Sequence, residues 1–177
     1  MCVSPNAVAD CFLKLSWAEN KPITQMKLQK LLFFAHGWHL ALLDEPMMNE
    51  LVQAWKYGPV FESIYHNYKI FGSNPIDCSS YYKRVNSPFW RDFGKLDKDL
   101  HKNVIAIVQN VWNVFKDCNA IQLMQLTHVK GSPWDLVVCD YIAHNGITIS
   151  ELPHGLYISN DIIKKYFKQD VSDKRNE

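Results

Sequence analysis

Residues 23–68 read ITQMKLQKLLFFAHGWHLALLDEPMMNELVQAWKYGPVFESIYHNY and contain the most apolar helical pattern of the sequence. Over residues 28–43 the only polar side chains are those of Gln29, Lys30, His36 and His39. A helix that is apolar on nearly all sides lies in the interior of a fold. Thr24 can cap this helix at its start, and Pro46 disfavours helical geometry just beyond its end. The pattern therefore predicts a central buried helix over residues 24–43.

The sequence on both sides of this segment predicts further helices and a few short strands. Apolar residues at helical spacing predict helices at about 4–17, 60–72, 97–116, 119–126, 132–145 and 159–168. The expected N-cap residues of five of them are Ser4, Asp97, Asn119, Ser132 and Ser159. Short strands are predicted at 51–57, ending in a Gly58-Pro59 turn, at 146–150, and at 81–85 within the long connection 73–95.

These elements together predict a mainly α fold. We expect a single-domain helical bundle around the central buried helix, with a minor short β element. The domain is predicted to span residues 1–168. The polar residues 169–177 are expected to form a frayed C-terminal tail.

Composition and charge narrow the class of protein. Hydrophobic residues make up 47% of the 177 residues and charged residues 21%, which is close to the average for a soluble globular protein. A net charge of +1 supplies no general attraction to nucleic acid or to an anionic membrane. We therefore expect no direct nucleic-acid binding.

Features of the sequence also indicate a compartment. The five cysteines are scattered and form no C-x-x-C motif, which is typical of free thiols in a reducing environment. The first twelve residues lack the basic and apolar regions of a signal peptide. The apolar run of the central helix is shorter than a membrane span and is interrupted by two histidines. We expect a cytoplasmic protein without membrane insertion.

His36 and His39 are the most enzyme-like feature of the sequence. At spacing i, i+3 they can share one helix face, as a metal site requires. However, no acidic residue stands at the spacing of the known helical zinc motifs, and a third ligand would have to come from His66, His128 or a distant carboxylate. No nucleophile motif or phosphate-binding loop is present either. The sequence therefore predicts no enzyme, no metal site and no cofactor.

A helical wheel places Gln25, Gln29 and His36 in one narrow sector of the central helix, with His39 at its edge. This polar seam has two interpretations, which the sequence leaves open. It either faces solvent or polar groups across the core, or it lines a groove that binds a partner. Lys27 and Lys30 share another face of the helix, and lysines of this kind are expected to be solvated.

Two motifs carry a resemblance to a known family. The first is KLQKLLFFAHGWHLAL (residues 27–42) followed by QAWKYGPV (residues 53–60), and the second is Leu126-Thr127-His128 with Ser132-Pro133-Trp134. They resemble the Panacea domain, the family of SocA-like antitoxins and phage-associated GepA-like proteins. The resemblance covers most of the chain. The family more often has Tyr-x-Ala-Gln where this chain has Phe33-Phe34-Ala35-His36, so partner choice could differ.

The resemblance implies an antitoxin that neutralises a cognate toxin protein by direct binding, the toxin being encoded by an adjacent gene. A SocA-like member can instead deliver its toxin to a bacterial protease. The candidate contact residues are Gln29, His36, His39, Trp55, Tyr57, His128 and Trp134. For Trp55 and Trp134 a core position is the competing interpretation. The alternative functions are a metal-dependent hydrolytic enzyme that uses His36 and His39, or a phage-derived protein that binds a host factor.

Overall fold

The computed structural model describes residues 2–77, 79 and 102–173. The α-helices are α1 (Pro5–Ala18), α2 (Gln25–Leu43), α3 (Glu62–Tyr68), α4 (Lys102–Phe115), α5 (Ala120–Thr127), α6 (Pro133–Asn145) and α7 (Asn160–Asp173). The strands are β1 (Val52–Trp55), β2 (Gly58–Val60) and β3 (Tyr157–Ile158), and short 3-10 helices lie at Lys69–Phe71 and Ile149–Glu151. These elements confirm the predicted mainly α fold with a minor β element.

Helix α2 is the central element of this fold. Every residue from position 27 to position 37 is buried, and the helix packs against α1, α3, α4, α5, α7 and β2. The Thr24 hydroxyl accepts a hydrogen bond from the Lys27 N–H at its start. At its end Asp44 adopts a left-handed conformation with φ of 59° and donates its N–H to the Leu40 carbonyl. The predicted central buried helix and both of its limits are therefore confirmed.

Helix α7 approaches α2 at a glycine. A Cβ atom added to Gly37 would lie 2.3 Å from the ring of Phe167. The absence of a side chain at Gly37 therefore lets this ring lie directly against the α2 backbone. Asp44 at the end of α2 also pairs with Lys164 and Lys168 of α7, at 3.3 Å and 2.6 Å.

The predicted N-caps of four other helices are confirmed. At the start of α7 the Ser159 hydroxyl accepts the Ile162 N–H. The Ser4 hydroxyl accepts the Ala7 N–H, and the Ser132 hydroxyl accepts the Asp135 N–H. Asn119 forms a capping box with Gln122, in which each side chain accepts from the backbone N–H of the other residue. Asp97, the N-cap expected for α4, and the strand predicted at 81–85 lie outside the described residues.

The three strands form an antiparallel sheet in the order β2-β1-β3. The predicted turn at Gly58-Pro59 is wrong, because the chain turns at Lys56 and Tyr57 and Pro59 pairs with Ala54 in β2. Proline is tolerated on this edge strand since Ala54 directs its own N–H to the Leu156 carbonyl on the β3 side. Helix α3 accordingly starts at Glu62 rather than at position 60.

The strand predicted at residues 146–150 is also wrong. Thr148 forms a capping box with Glu151 and starts the 3-10 helix Ile149–Glu151, so local side-chain hydrogen bonds replace strand pairing. The third strand is β3, further along the chain. Helix α7 continues to Asp173, beyond the domain limit predicted at residue 168. None of the described helices combines the length and the apolar character that crossing a membrane requires.

His36 connects three parts of the chain inside the fold. Its side chain is fully buried. Its Nε2 donates to the Asn160 Oδ1 at 2.9 Å, and its Nδ1 accepts the Met48 N–H at 3.4 Å. Burial is the main cause that lowers the pKa of His36 to about 4; the hydrogen bond to Asn160 opposes this shift, and the nearby His39 adds to it to a smaller extent. His36 is therefore a neutral structural residue at physiological pH.

This geometry predicts a loss of stability in acid. An unfolded histidine titrates near pH 6.5, so between about pH 6.5 and pH 4 the unfolded state binds more protons at His36 than the folded state. The free energy of unfolding should fall by about 3 kcal/mol over this range because of His36 alone. We expect His36→Gln to remove that part of the loss, as measured by urea unfolding at pH 7 and at pH 4.

The control is His144→Gln, which removes an imidazole exposed at the surface of α6. The account of His36 is contradicted if the wild-type protein and His36→Gln lose equal free energy between the two pH values.

Candidate partner-binding groove

Gln29 attaches the β-hairpin to the central helix. Its side-chain oxygen accepts the Phe61 N–H at 2.9 Å, and its side-chain nitrogen donates to the Phe61 carbonyl at 3.0 Å. Gln29 is only 4% exposed. Its carboxamide therefore pairs with the chain directly after β2 in the way that the backbone of a neighbouring strand would. We call this pair of bonds the Gln29 clamp.

The adjacent residue Lys30 is buried rather than solvated, which corrects the prediction for this helix face. Lys30 is 1% exposed and donates from Nζ to the Pro59 carbonyl at 3.2 Å. Burial lowers its pKa to about 7. Lys27 is buried as well, and its amine donates to the Lys116 carbonyl at 2.7 Å. Long lysine stems cross apolar surroundings and bring both amines to backbone carbonyls.

Gly58 brings the two sequence motifs together. It has φ of +100°, a conformation that favours glycine. A Cβ atom at this position would lie 2.6 Å from Lys30 Nζ, 2.9 Å from Thr127 Oγ1 and 3.0 Å from His128 Cε1. Lys30 and Gly58 belong to the first motif, and Thr127 and His128 belong to the second. Only a residue without a side chain fits between them.

Trp134 completes this contact between the motifs. Its indole N–H donates to the Trp55 carbonyl at 2.7 Å, and its ring lies 3.8 Å from the ring of His128, centre to centre. Burial is the main cause that lowers the pKa of His128. We call the group formed by Lys30, Gly58, Thr127, His128 and Trp134 the motif junction.

A groove of about 700 Å³ opens beside the motif junction, with Lys30 common to both. Helix α2, the β1–β2 hairpin, α3, the start of α5 and residues 149–154 form its walls. Its most prominent lining residues are Gln25, Gln29, Trp55, Tyr57, Tyr65, Ile121 and His154. Most of the surface inside the groove is apolar.

Trp55 is held firmly in the wall of the groove. Its indole N–H donates to Gln53 Oε1 at 2.9 Å. Its ring meets the rings of Tyr65 and His154 edge to face, with centres 4.7 Å and 4.8 Å apart. Tyr57, at the tip of the hairpin, is 56% exposed. The groove thus presents one fixed and one freely accessible aromatic side chain.

The structure separates the seven predicted contact residues into two groups. Gln29, Trp55 and Tyr57 line the groove. The other four are engaged inside the fold: His36, His39, His128 and Trp134. The polar seam of α2 divides in the same way, since Gln25 and Gln29 line the groove whereas the two histidines do not.

Within the described part of the chain, His36 and His39 belong to no group of side chains that could hold a metal ion. Both ring nitrogens of His36 have hydrogen-bond partners, and His39 donates from Nδ1 to the Glu45 carbonyl at 2.7 Å. Among the residues that the structure describes, no three His, Cys, Asp or Glu side chains are placed to hold a metal ion.

Several lining residues were not predicted from the sequence. Tyr65 follows the apolar spacing of α3, a pattern that predicts a packing residue. Ile121 and His154 come from segments distant in sequence, α5 and the loop before β3. No local pattern indicates that these three side chains face one cavity.

A second cavity of about 730 Å³ lies between α2, α4 and α7. It is lined mainly by apolar and aromatic residues, including Phe34, Trp38, Val114 and Tyr166. None of the seven predicted contact residues lines it. No residue of the motif junction lines it, although Leu126 of the second motif does.

Comparison with known proteins agrees with the two motifs. Residues 28–135 match the family described as "Antitoxin SocA-like, Panacea domain". This chain belongs to the Panacea family. Antitoxin SocA from Caulobacter vibrioides (strain NA1000 / CB15N) is 30% identical over 167 residues, which cover 94% of this chain and 83% of the relative. No solved structure shows significant similarity to the chain.

The family assignment confirms the resemblance, and the Panacea domain match includes both motifs apart from Lys27. Similarity to an antitoxin over nearly the whole chain supports an antitoxin role.

The motif junction predicts a large effect of Gly58→Ala. The added methyl group would lie within 3.0 Å of atoms of Lys30, Thr127 and His128. The backbone at this position would also hold alanine at an unfavourable φ. We expect the free energy of unfolding to fall by about 3 kcal/mol. Urea unfolding followed by circular dichroism measures this change.

The matched control is Gly131→Ala, since Gly131 has φ of +81° and no atom within 4 Å of the added Cβ. We expect Gly131→Ala to lower the free energy of unfolding only by the cost of placing alanine at a positive φ, about 1 kcal/mol. Equal losses in the two variants would show that crowding at the junction has no part in stability.

Proposed function

We propose that this Panacea protein is an antitoxin that neutralises a cognate protein toxin by binding it directly through the groove. The observation that carries the proposal is that both family motifs meet at one buried junction, which adjoins an open groove with aromatic walls. The similarity to Antitoxin SocA supports the biological role. The groove supplies the surface that such a role needs.

The side chains of the groove suit the binding of a protein. Tryptophan and tyrosine supply a large share of the binding energy in protein interfaces, often about 2 kcal/mol or more each. Trp55 is already fixed by Gln53, Tyr65 and His154, so it loses little freedom when a partner binds. A rigid wall of this kind favours tight association over an adaptable, weak contact.

The partner that we propose is a toxin encoded by an adjacent gene and encountered in the cytoplasm. Co-expression tests this directly. The neighbouring open reading frame, induced alone in a bacterial host, should stop growth, and co-expression of the Panacea protein should restore it. The proposal fails if the neighbouring product is harmless alone or if it remains equally toxic in the presence of the Panacea protein.

The same cells distinguish two routes of neutralisation. If binding alone blocks the toxin, growth returns while the amount of toxin in an immunoblot stays constant. If the Panacea protein delivers the toxin to a protease, the toxin disappears only when both proteins are present. Both routes require the direct contact that we propose.

Tyr57 provides a test of the surface itself. We expect Tyr57→Ala to weaken binding of a catalytically inactive toxin variant by about 10- to 30-fold, because an exposed aromatic contact is lost from the groove. Isothermal titration calorimetry measures the dissociation constant, and thermal melting establishes that the variant is folded.

Tyr157→Ala is the matched control. Tyr157 is similarly exposed, at 51%, and lies in the same small sheet, but it does not line the groove. If both variants, or neither, weaken binding, the groove is not the toxin-binding surface.

A further inference from the structure

Most of the exposed surface inside the groove is apolar. Three exposed side chains contribute most clearly: Tyr57 from the hairpin, Ile121 from α5 and Ile149 from the 3-10 helix, which are 56%, 60% and 38% exposed. They come from three separate segments of the chain. Exposed apolar surface gathered around a cavity is typical of an interaction site.

The groove has basic side chains and no acidic ones in its described lining. The basic residues are Lys30, Lys56 and His154, and no aspartate or glutamate stands among the described residues that line it. This is a local feature, because the whole chain has 19 lysine and arginine residues against 18 aspartate and glutamate residues. Positive and negative residues are thus balanced over the whole chain, whereas the described lining of the groove contains no carboxylate.

The groove lysines also differ from the lysines that form ion pairs. The ion pairs of lysine in the described part of the chain lie elsewhere: Lys21 with Asp117, Lys116 with Glu19, and Lys164 and Lys168 with Asp44. The amine of Lys56 instead lies 5.5 Å from the centre of the Tyr57 ring. Lys30 meets a backbone carbonyl, and the lowering of its pKa comes from burial.

Lys56 and His154 are exposed, whereas Lys30 is enclosed at the motif junction. A partner carboxylate can therefore approach Lys56 and His154 at the mouth of the groove. Lys30 adds positive potential from behind when it is protonated. The exposed aromatic ring of Tyr57 lies next to Lys56, so one partner segment can meet both.

We propose that the groove binds an acidic segment of the partner toxin, with an apolar or aromatic side chain inside the groove and carboxylates facing Lys56 and His154. This inference rests on the proposed function and specifies the chemistry of the partner at the same site. Charges at the rim of an interface act mainly on the rate of association and on its dependence on salt, while the apolar contacts slow dissociation.

The test measures association rates of the full-length Panacea protein with an inactive variant of the neighbouring toxin, by stopped-flow fluorescence from about 50 to 500 mM salt. We expect the wild-type rate to fall with increasing salt. Lys56→Glu should lower the rate at low salt by about tenfold and flatten the dependence on salt. Lys56→Gln should have a smaller effect in the same direction.

The matched control is Lys165→Glu, which makes the same change of net charge at an exposed position of α7. It should leave the rate within about twofold of the wild-type value. Equal effects of Lys56→Glu and Lys165→Glu would overturn the proposal, because only the net charge would then matter. An association rate that is independent of salt, with normal affinity, would overturn it as well and leave the proposed function intact.

Two other outcomes are decisive. If wild-type protein does not bind the toxin at all, both the proposed function and this inference fail together. If a labelled single-stranded RNA binds in a manner that depends on Lys56 and competes with the toxin, the groove recognises phosphate rather than an acidic protein segment, and the inference is overturned.

Discussion

The structure depends on the Gln29 clamp, the pair of buried hydrogen bonds that join the carboxamide of Gln29 to the N–H and the carbonyl of Phe61. Both partners are buried, so loss of the side chain would leave two backbone groups without partners, at a cost of about 1–3 kcal/mol each. Lys30 binds the Pro59 carbonyl one position further along α2. Two consecutive side chains of the central helix thus cover the outer edge of β2 and fix the hairpin.

The position of the groove follows from this attachment. With the hairpin fixed on α2, Gly58 lies where Thr127 and His128 of the second motif can reach it, and Trp134 can bind the Trp55 carbonyl. The same arrangement places the Trp55 ring and the hairpin tip on one side of α2. The family motifs therefore mainly build a rigid frame, and the proposed contacts with a partner lie beside that frame.

Local sequence patterns predicted the features that depend on interactions between residues close together in the chain. The apolar run of α2 predicted a buried helix, and Thr24, Asn119 and Ser132 act as the caps that their residue types favour. The burial of Lys30 was not predictable in this way, because its acceptor lies 29 positions along the chain. The strand expected at residues 146–150 failed for the opposite reason, since a local capping box at Thr148 outweighed its β pattern. The sequence identifies Gln29 as a polar residue on an otherwise apolar helix, but whether it faces a groove or the core depends on tertiary contacts. In the structure Gln29 lines the groove and also bonds to Phe61 inside the fold.

The most direct test of the account is amide hydrogen exchange of the Panacea protein with and without its inactive toxin. If the groove is the binding surface, protection should increase at residues 55–57 and 149–154, while the amides around the second cavity, near Val114 and Tyr166, should exchange at unchanged rates. Protection confined to the second cavity, with no change in the hairpin or in residues 149–154, would contradict the account.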